Sequence, residues 1–251
     1  MASLRKPNYP GKLFIVEGID GSGKSTQLDL LRKWLISEGY LVAFSEWNSS
    51  PVVQEATKRG KKQKLLTPTS FSLIHAADFS DRHTRQILPA LEAGAIVLAD
   101  RYVFTAFARD VARGVHPEWV RDTYSFAVQP TVALYFRVPL EESLKRILVG
   151  RPALKYYEAG LDLNLSPDPY ESFRLFQDRI LKEYDKLVDE YGLTVIDATL
   201  PLVKQQEHVR ALIKPHLEGA IKINPRAYRQ LLAEDSLYGR YIDEIARSRR
   251  S

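Results

Sequence analysis

The chain has 251 residues, 45% hydrophobic and 27% charged, with a formal net charge of +5 and no cysteine. That bounds it at one large domain, or a domain with appendages, and excludes a disulfide framework, a zinc ribbon and thiol catalysis. The modest positive charge suits small anionic ligands without demanding a nucleic-acid partner.

Residues 1–11 lack the apolar core of a signal peptide. No apolar run approaches the roughly 20 residues of a membrane span, so no membrane association and a cytoplasmic location are expected. Residues 12–17 are mostly apolar and read as a buried strand. Leu28, Leu31, Trp34 and Leu35 then recur at helical spacing within residues 24–38. Residues 41–45 read as a second strand, and residues 47–68 as polar and irregular. A long helical pattern follows over residues 69–92, with a break expected near Pro89. The apolar run 95–99 predicts a strand that delivers Asp100-Arg101-Tyr102. Helices are expected around residues 105–113 and 117–126, a strand at 132–136 and a helix at 140–150. A loop rich in Gly, Pro and Asp spans 151–169. A long helix (170–191), a strand (194–197) and a helix (203–217) complete the pattern. This alternation predicts an α/β fold with a mainly parallel sheet, helices on both faces, and ligands beyond the carboxyl ends of the strands. Residues 218–251 are expected to form a helical appendage ending in Arg247-Ser248-Arg249-Arg250. A nucleic-acid-binding tail is the alternative for that end.

Between the first strand and helix lies Gly18-Ile19-Asp20-Gly21-Ser22-Gly23-Lys24-Ser25, followed by Thr26. A strand, a glycine-rich turn and a helix in that order form a phosphate-binding loop. The glycines let the backbone fold around phosphate oxygens, and the helix N-terminus presents N–H groups and a positive dipole. Lys24 would reach the β- and γ-phosphates, and the Ser25 hydroxyl would hold Mg²⁺. Asp100, at a strand end, is a second candidate for Mg²⁺, and Arg101 beside it has the fork to clamp a phosphate.

With Glu17 before the loop, residues 87–94 (Ile-Leu-Pro-Ala-Leu-Glu-Ala-Gly), Asp100-Arg101-Tyr102 and Val195-Ile196-Asp197-Ala198, the chain resembles thymidylate kinase over about residues 12–217. The resemblance implies a three-layer P-loop nucleoside-monophosphate kinase fold, a homodimer, and Mg²⁺-dependent transfer of the γ-phosphate of ATP to dTMP. It also implies a lid at about 151–169. By that resemblance Gly18, Gly21, Ser22, Gly23, Lys24, Ser25 and Thr26 hold ATP, Asp20 lies near the acceptor phosphate, and Arg101 holds it.

The acceptor side departs from the family. After the second strand the family shows Arg-Glu-Pro-Gly-Gly, and here stands Ser45-Glu46-Trp47-Asn48-Ser49. On the third helix a base-stacking phenylalanine and a base-reading arginine are replaced by His75 and Phe79. His75 still offers a ring, but Phe79 has no donor. Thr105 keeps a hydroxyl, while Arg109 and Asp110 stand where the family has an aromatic and an amide. The acceptor pocket is therefore expected from His75, Phe79, Arg101, Thr105 and Arg109. Ser22 replaces an arginine that some members carry in the loop, and the lid lacks the family's Asp-Arg pair. Arg151 is the expected lid cation, with Arg146 as its alternative. Residues 58–64 hold five cations among seven residues, read either as solvated surface or as the seat of an acceptor with more than one phosphate. These departures leave open a kinase for another nucleotide, a deoxynucleoside or a polyanion, or a nucleotide-binding regulatory protein that transfers nothing.

Overall fold

A computed structural model of the chain describes residues 4–151 and 153–223. Five strands form one parallel sheet: β1 (Lys12–Glu17), β2 (Val42–Glu46), β3 (Ile96–Asp100), β4 (Val132–Arg137) and β5 (Thr194–Asp197). Their order across the sheet is β2-β3-β1-β4-β5. The three central strands are almost wholly buried, as expected of apolar runs covered on both faces. Register lines up the carboxyl ends: Val16 and Glu46 both sit opposite Asp100, and Glu17 opposite Tyr135. Glu46 and Asp100, side by side at those ends, line one cavity.

Helix α1 (Lys24–Ser37) starts directly after the glycine loop. It packs on α9 (Leu202–Ile213), the last α-helix among the described residues. The second helical layer contains α3 (Pro68–Arg82), α5 (Val103–Ala112), α6 (Pro117–Thr123) and α8 (Pro169–Tyr191), with α5 packed on the other three. Helix α7 (Leu140–Gly150) matches its expected bounds and leads into the loop at 151–169. That loop contains one short 3₁₀ turn, Leu161–Leu163.

Two features depart from the sequence reading. Residues 47–68, expected to be irregular, contain α2 (Gln54–Lys62). Only Thr57 and Gly60 of α2 are buried, so no apolar periodicity announces it. Gly60 is needed for packing, since a Cβ there would lie 2.7 Å from Leu66. The signal it does carry is charge order, with Glu55 in the first turn and Arg59, Lys61 and Lys62 in the last, matching the helix dipole. The expected break near Pro89 falls a turn earlier, as a π turn at His83–Ile87 leading into α4 (Leu88–Glu92). Proline has no N–H to return to the fourth preceding carbonyl and crowds it, and the wider winding relieves that conflict.

Among the described residues, no helix is long and apolar enough to cross a membrane. The expected helical appendage falls largely at 224–251, outside the described residues. Its first residues return to the α1–β2 turn, where Ile223 N–H donates to Gly39 at 2.7 Å and Lys222 bridges Tyr40.

The N-terminus of α3, which carries His75 and Asp78, is fixed by a capping box. The Ser70 amide donates to Thr67 Oγ1 at 3.2 Å, and the Thr67 amide to Ser70 Oγ at 2.9 Å. Thr67→Ala should cost about 1 kcal/mol of stability, seen by calorimetry as a fall of roughly 2–4 °C in Tm. An unchanged Tm would show that this cap contributes nothing.

Candidate active site

The glycine loop curls over the end of β1. Gly21 has a φ of +76°, and a Cβ there would lie 2.6 Å from the Ser143 carbonyl of α7, so a side chain is excluded twice over. Ser143 Oγ in turn donates to the Asp20 carbonyl at 2.6 Å, tying α7 to the loop. The Ser22 side chain is buried, and its hydroxyl has no partner among the described residues. Gly23, Ser25 and Thr26 are exposed at the start of α1, and Gly18 is buried beneath them. Lys24 is buried and folds back to 3.5 Å from the Ile19 carbonyl. Burial and then the charge of Arg101 push its ammonium down to about 8, opposed by Asp20 and Asp100. An incoming phosphate would reverse that shift.

Beside the loop, Ser25 Oγ donates to Asp100 Oδ2 at 2.5 Å. A hydroxyl and a carboxylate brought together on the phosphate side suit a hard cation that keeps most of its coordination for phosphate and water. Asp20, Lys24, Ser25, Glu46, Trp47, Asn48, Asp100 and Arg101 line one polar cavity of about 210 Å³. A wider groove of about 680 Å³ lies between α5 and α8, but it is an open charged surface with no glycine loop feeding it. We assign the chemistry to the smaller cavity, where backbone donors and cations converge.

Arg101 adopts a left-handed backbone, φ 68°, which costs a non-glycine residue energy and needs support. Its guanidinium donates to the Gly18 carbonyl at 3.0 Å, to Thr105 Oγ1 at 3.4 Å and to Asp20. Arg109 reaches the other oxygen of Asp20 at 3.9 Å. Burial opposes ionisation of Asp20, but Arg101, Arg109, Lys24 and Arg151 outweigh it and hold the carboxyl well below its usual range.

Glu17 supplies the support, and the sequence reading passed over it. It is fully buried at the end of β1. Oε1 accepts from the amides of Tyr102 (2.8 Å) and Thr105 (3.2 Å), and Oε2 from the hydroxyls of Thr105 (2.6 Å) and Tyr184 (2.8 Å). The carboxylate thus caps α5, which has no side-chain cap of its own. The available signal was an acid closing an otherwise apolar strand, because such a charge must find partners.

The remaining expected residues divide. His75 is buried, with its ring edge-on to Trp47 at 5.8 Å and to Phe71 at 4.2 Å. Phe79, expected in the acceptor pocket, instead fills the core. It is 0% exposed, enclosed by Trp47, His83, Tyr102, Tyr124 and Phe126. One helical turn beyond His75 the helix faces the protein interior. Thr105 is committed to Glu17 and Arg101. Asp110 is buried, accepting from Ser72 Oγ at 2.6 Å. In the loop at 151–169, Arg151 pairs with Glu158, and Lys155 pairs with the same carboxylate at 3.2 Å. Arg146 is engaged by Glu142 along α7 at 2.8 Å. A second unforeseen pair, Asp78 and Arg82, is fully buried on α3. Asp78 accepts from the amides of Asn48 and Ser50, and Arg82 donates to Ser45 Oγ, so the pair fixes the β2–α2 loop that carries Trp47.

The thymidylate kinase family model matches residues 16–209. The chain belongs to the thymidylate kinase family. Probable thymidylate kinase 2 of Saccharolobus solfataricus is 43% identical over 212 residues, covering 84% of this chain and 99% of that protein. A probable thymidylate kinase of Pyrococcus abyssi is 28% identical over 83% of this chain and 98% of its own length. One from Thermococcus kodakarensis is 37% identical over 54% of this chain and 71% of its own.

Burial pushes the Glu17 carboxyl up to about 7, against its hydrogen bonds and the charge of Arg101. The folded state then keeps a proton that the unfolded chain has released. This contribution to stability is full below about 4.5 and is lost as pH rises through 7. His75 and His83, kept neutral mainly by burial, slope the other way, so the comparison is with a variant. From about pH 5 to about pH 7.5 the natural chain should lose urea stability relative to Glu17→Gln. Parallel curves would refute a titrating Glu17.

Proposed function

We propose that this protein is a nucleoside monophosphate kinase that transfers the γ-phosphate of ATP to dTMP, giving dTDP. The observation that carries the reading is convergence on one cavity: a glycine loop opening a helix, its lysine, and Arg101 bound to Asp20. Family membership supports the same reaction.

Phosphoryl transfer needs alignment and charge neutralisation more than covalent help from the protein. The ATP phosphates would lie in the loop formed by Gly18, Gly21, Ser22, Gly23, Lys24, Ser25 and Thr26, with Lys24 balancing charge on the β- and γ-phosphates. Ser25 and Asp100 would hold Mg²⁺, which when bound neutralises the phosphate oxygens and orients them. The acceptor phosphate would be held by Arg101 and Arg109. Asp20 holds these two guanidinium groups together, and the phosphate would compete with it for their N–H donors. His75, with Trp47 beside it, would wall the base. Arg151 would leave Glu158 when the lid closes and add positive charge over the transferring group. Homodimer formation and a cytoplasmic location are proposed from the family resemblance.

The test is ADP production from ATP across the deoxy- and ribonucleoside monophosphates, nucleosides and polyphosphate. Selective turnover of dTMP is expected, and equal or better use of another acceptor would overturn the assignment. Lys24→Ala should abolish transfer while the far-UV circular dichroism stays unchanged. Arg151→Ala should lower kcat about 100-fold or more with little change in KM for ATP, since an arginine acting on the transition state is worth roughly 10³–10⁵ in related reactions. An equal loss in both parameters would give Arg151 a structural role instead.

A further inference from the structure

Of the cations at 58–64, Lys58, Arg59, Lys62 and Lys64 are exposed. Lys61 turns inward from α2. Its Nζ lies 3.5 Å from His75 Nε2 and 5.2 Å from the centroid of the Phe71 ring. An ammonium has no lone pair, so Nε2 must accept and the imidazole proton sits on Nδ1. His75 itself is held neutral, mainly by burial and then by Lys61, Arg109 and Arg113.

The neighbouring cations are differently placed. Arg113 is committed, donating to Asp162 at 3.0 Å and to the Tyr157 carbonyl at 2.5 Å, with its guanidinium over Phe71 and Phe176. Arg109 leans toward Asp20. Lys61 makes no ion pair among the described residues, and Glu158 in the lid is the acid that attracts it. Burial, then Arg109 and Arg113, push its ammonium down to about 8, so it still carries its charge at neutral pH.

These groups form a row. Trp47 lines the phosphate cavity, His75 packs edge-on against Trp47, and Lys61 lies against the His75 ring. Lys61 thus stands at the far end from the phosphate cavity, against an aromatic wall of Trp47, His75, Phe71 and Tyr157. A nucleotide anchored by its phosphate at Arg101 and Arg109 would present the edge of its base opposite the sugar bond to that end. On a pyrimidine that edge carries the 4-substituent. Phe79, closed into the core, has no donor to offer there, and neutral His75 has Nε2 already accepting from Lys61.

We infer that Lys61 is the specificity-determining donor of the acceptor pocket, giving its hydrogen bond to the 4-oxo oxygen of a pyrimidine nucleotide and disfavouring a 4-amino base. The inference rests on dTMP being the acceptor. The chemical logic is complementarity: an ammonium faces an oxo oxygen as donor to acceptor, but faces an exocyclic amine as donor to donor.

The experiment is steady-state kinetics of the full chain, Lys61→Met and Lys61→Arg with dTMP, dUMP and dCMP at saturating ATP. For Lys61→Met, kcat/KM with dTMP and with dUMP should fall about tenfold or more, chiefly through KM. The dTMP-to-dCMP preference should fall by the same factor, while the dTMP-to-dUMP ratio, which reads only the methyl group, should stay fixed. Lys61→Arg should restore the oxo preference in part. A merely structural role would lower all three substrates together and leave the preference intact, and that result would overturn the inference while leaving dTMP as acceptor. Failure of the natural chain to use dTMP would overturn the acceptor assignment, and the inference with it. Calorimetric binding of dTMP to Lys61→Met, expected to be weaker by the same factor, provides a readout independent of turnover.

Discussion

A carboxylate with no access to water organises the phosphate end of this molecule. Burial at the end of β1 opposes ionisation of Glu17, and its charged form calls for donors, of which four are supplied from three places: the turn after β3, the first turn of α5, and Tyr184 on α8. Meeting that demand fixes the backbone on either side of Arg101 and makes its left-handed conformation tolerable. It also ties the sheet to both helices packed over it. Thr105 completes the relay, accepting from Arg101 while donating to Glu17. The arginine is thus aimed by a residue that never touches the cleft.

Charge is distributed on the same logic. Breaking a buried ion pair is far more costly than its net contribution to stability suggests, because the remaining partner is stranded. Asp78 with Arg82 uses that property to hold the Trp47–Ser50 segment. Asp20 uses it differently, standing as counter-ion to two arginines in a cavity whose other cation, Lys24, is held below its ordinary range chiefly by burial. Asp20 thus stands between Arg101 and Arg109, and an anion entering the cavity finds donors already arranged.

The strands were legible because each central strand is an uninterrupted apolar run, and the loop because its glycines, lysine and hydroxyl have no other common use. Strand β1 falls at its expected bounds for the same reason, and helix α7 and strand β5 fall at theirs as well. What escaped was whatever carries no apolar period or depends on distant partners. Helix α2 buries two small residues and is otherwise polar, and its Lys61 looks like its solvated neighbours in the sequence. Phe79 reads as pocket wall when helical spacing alone is used, since one turn beyond His75 falls on the same side. Only the aromatic residues arriving from residues 102, 124 and 126 show that this side has turned inward. Glu17 and Asp78 are single acids beside apolar letters, a pattern that says partners exist without naming them, and Arg82 is hidden in the polar run Ser80-Asp81-Arg82-His83-Thr84-Arg85.

The π turn between α3 and α4 has a consequence for how the domain can change over time. Each residue advances a helix by about 100°, so one residue of surplus winding re-phases everything after it against everything before it. Upstream, α3 packs on α5 and carries His75, Asp78 and Arg82; downstream, Leu91 of α4 lies beneath β3. A continuous α-helix would lock those two sets of contacts into one angular register, so that altering either would disturb the other. The extra residue uncouples them, leaving the acceptor wall free to diverge while the support under the sheet stays as it was.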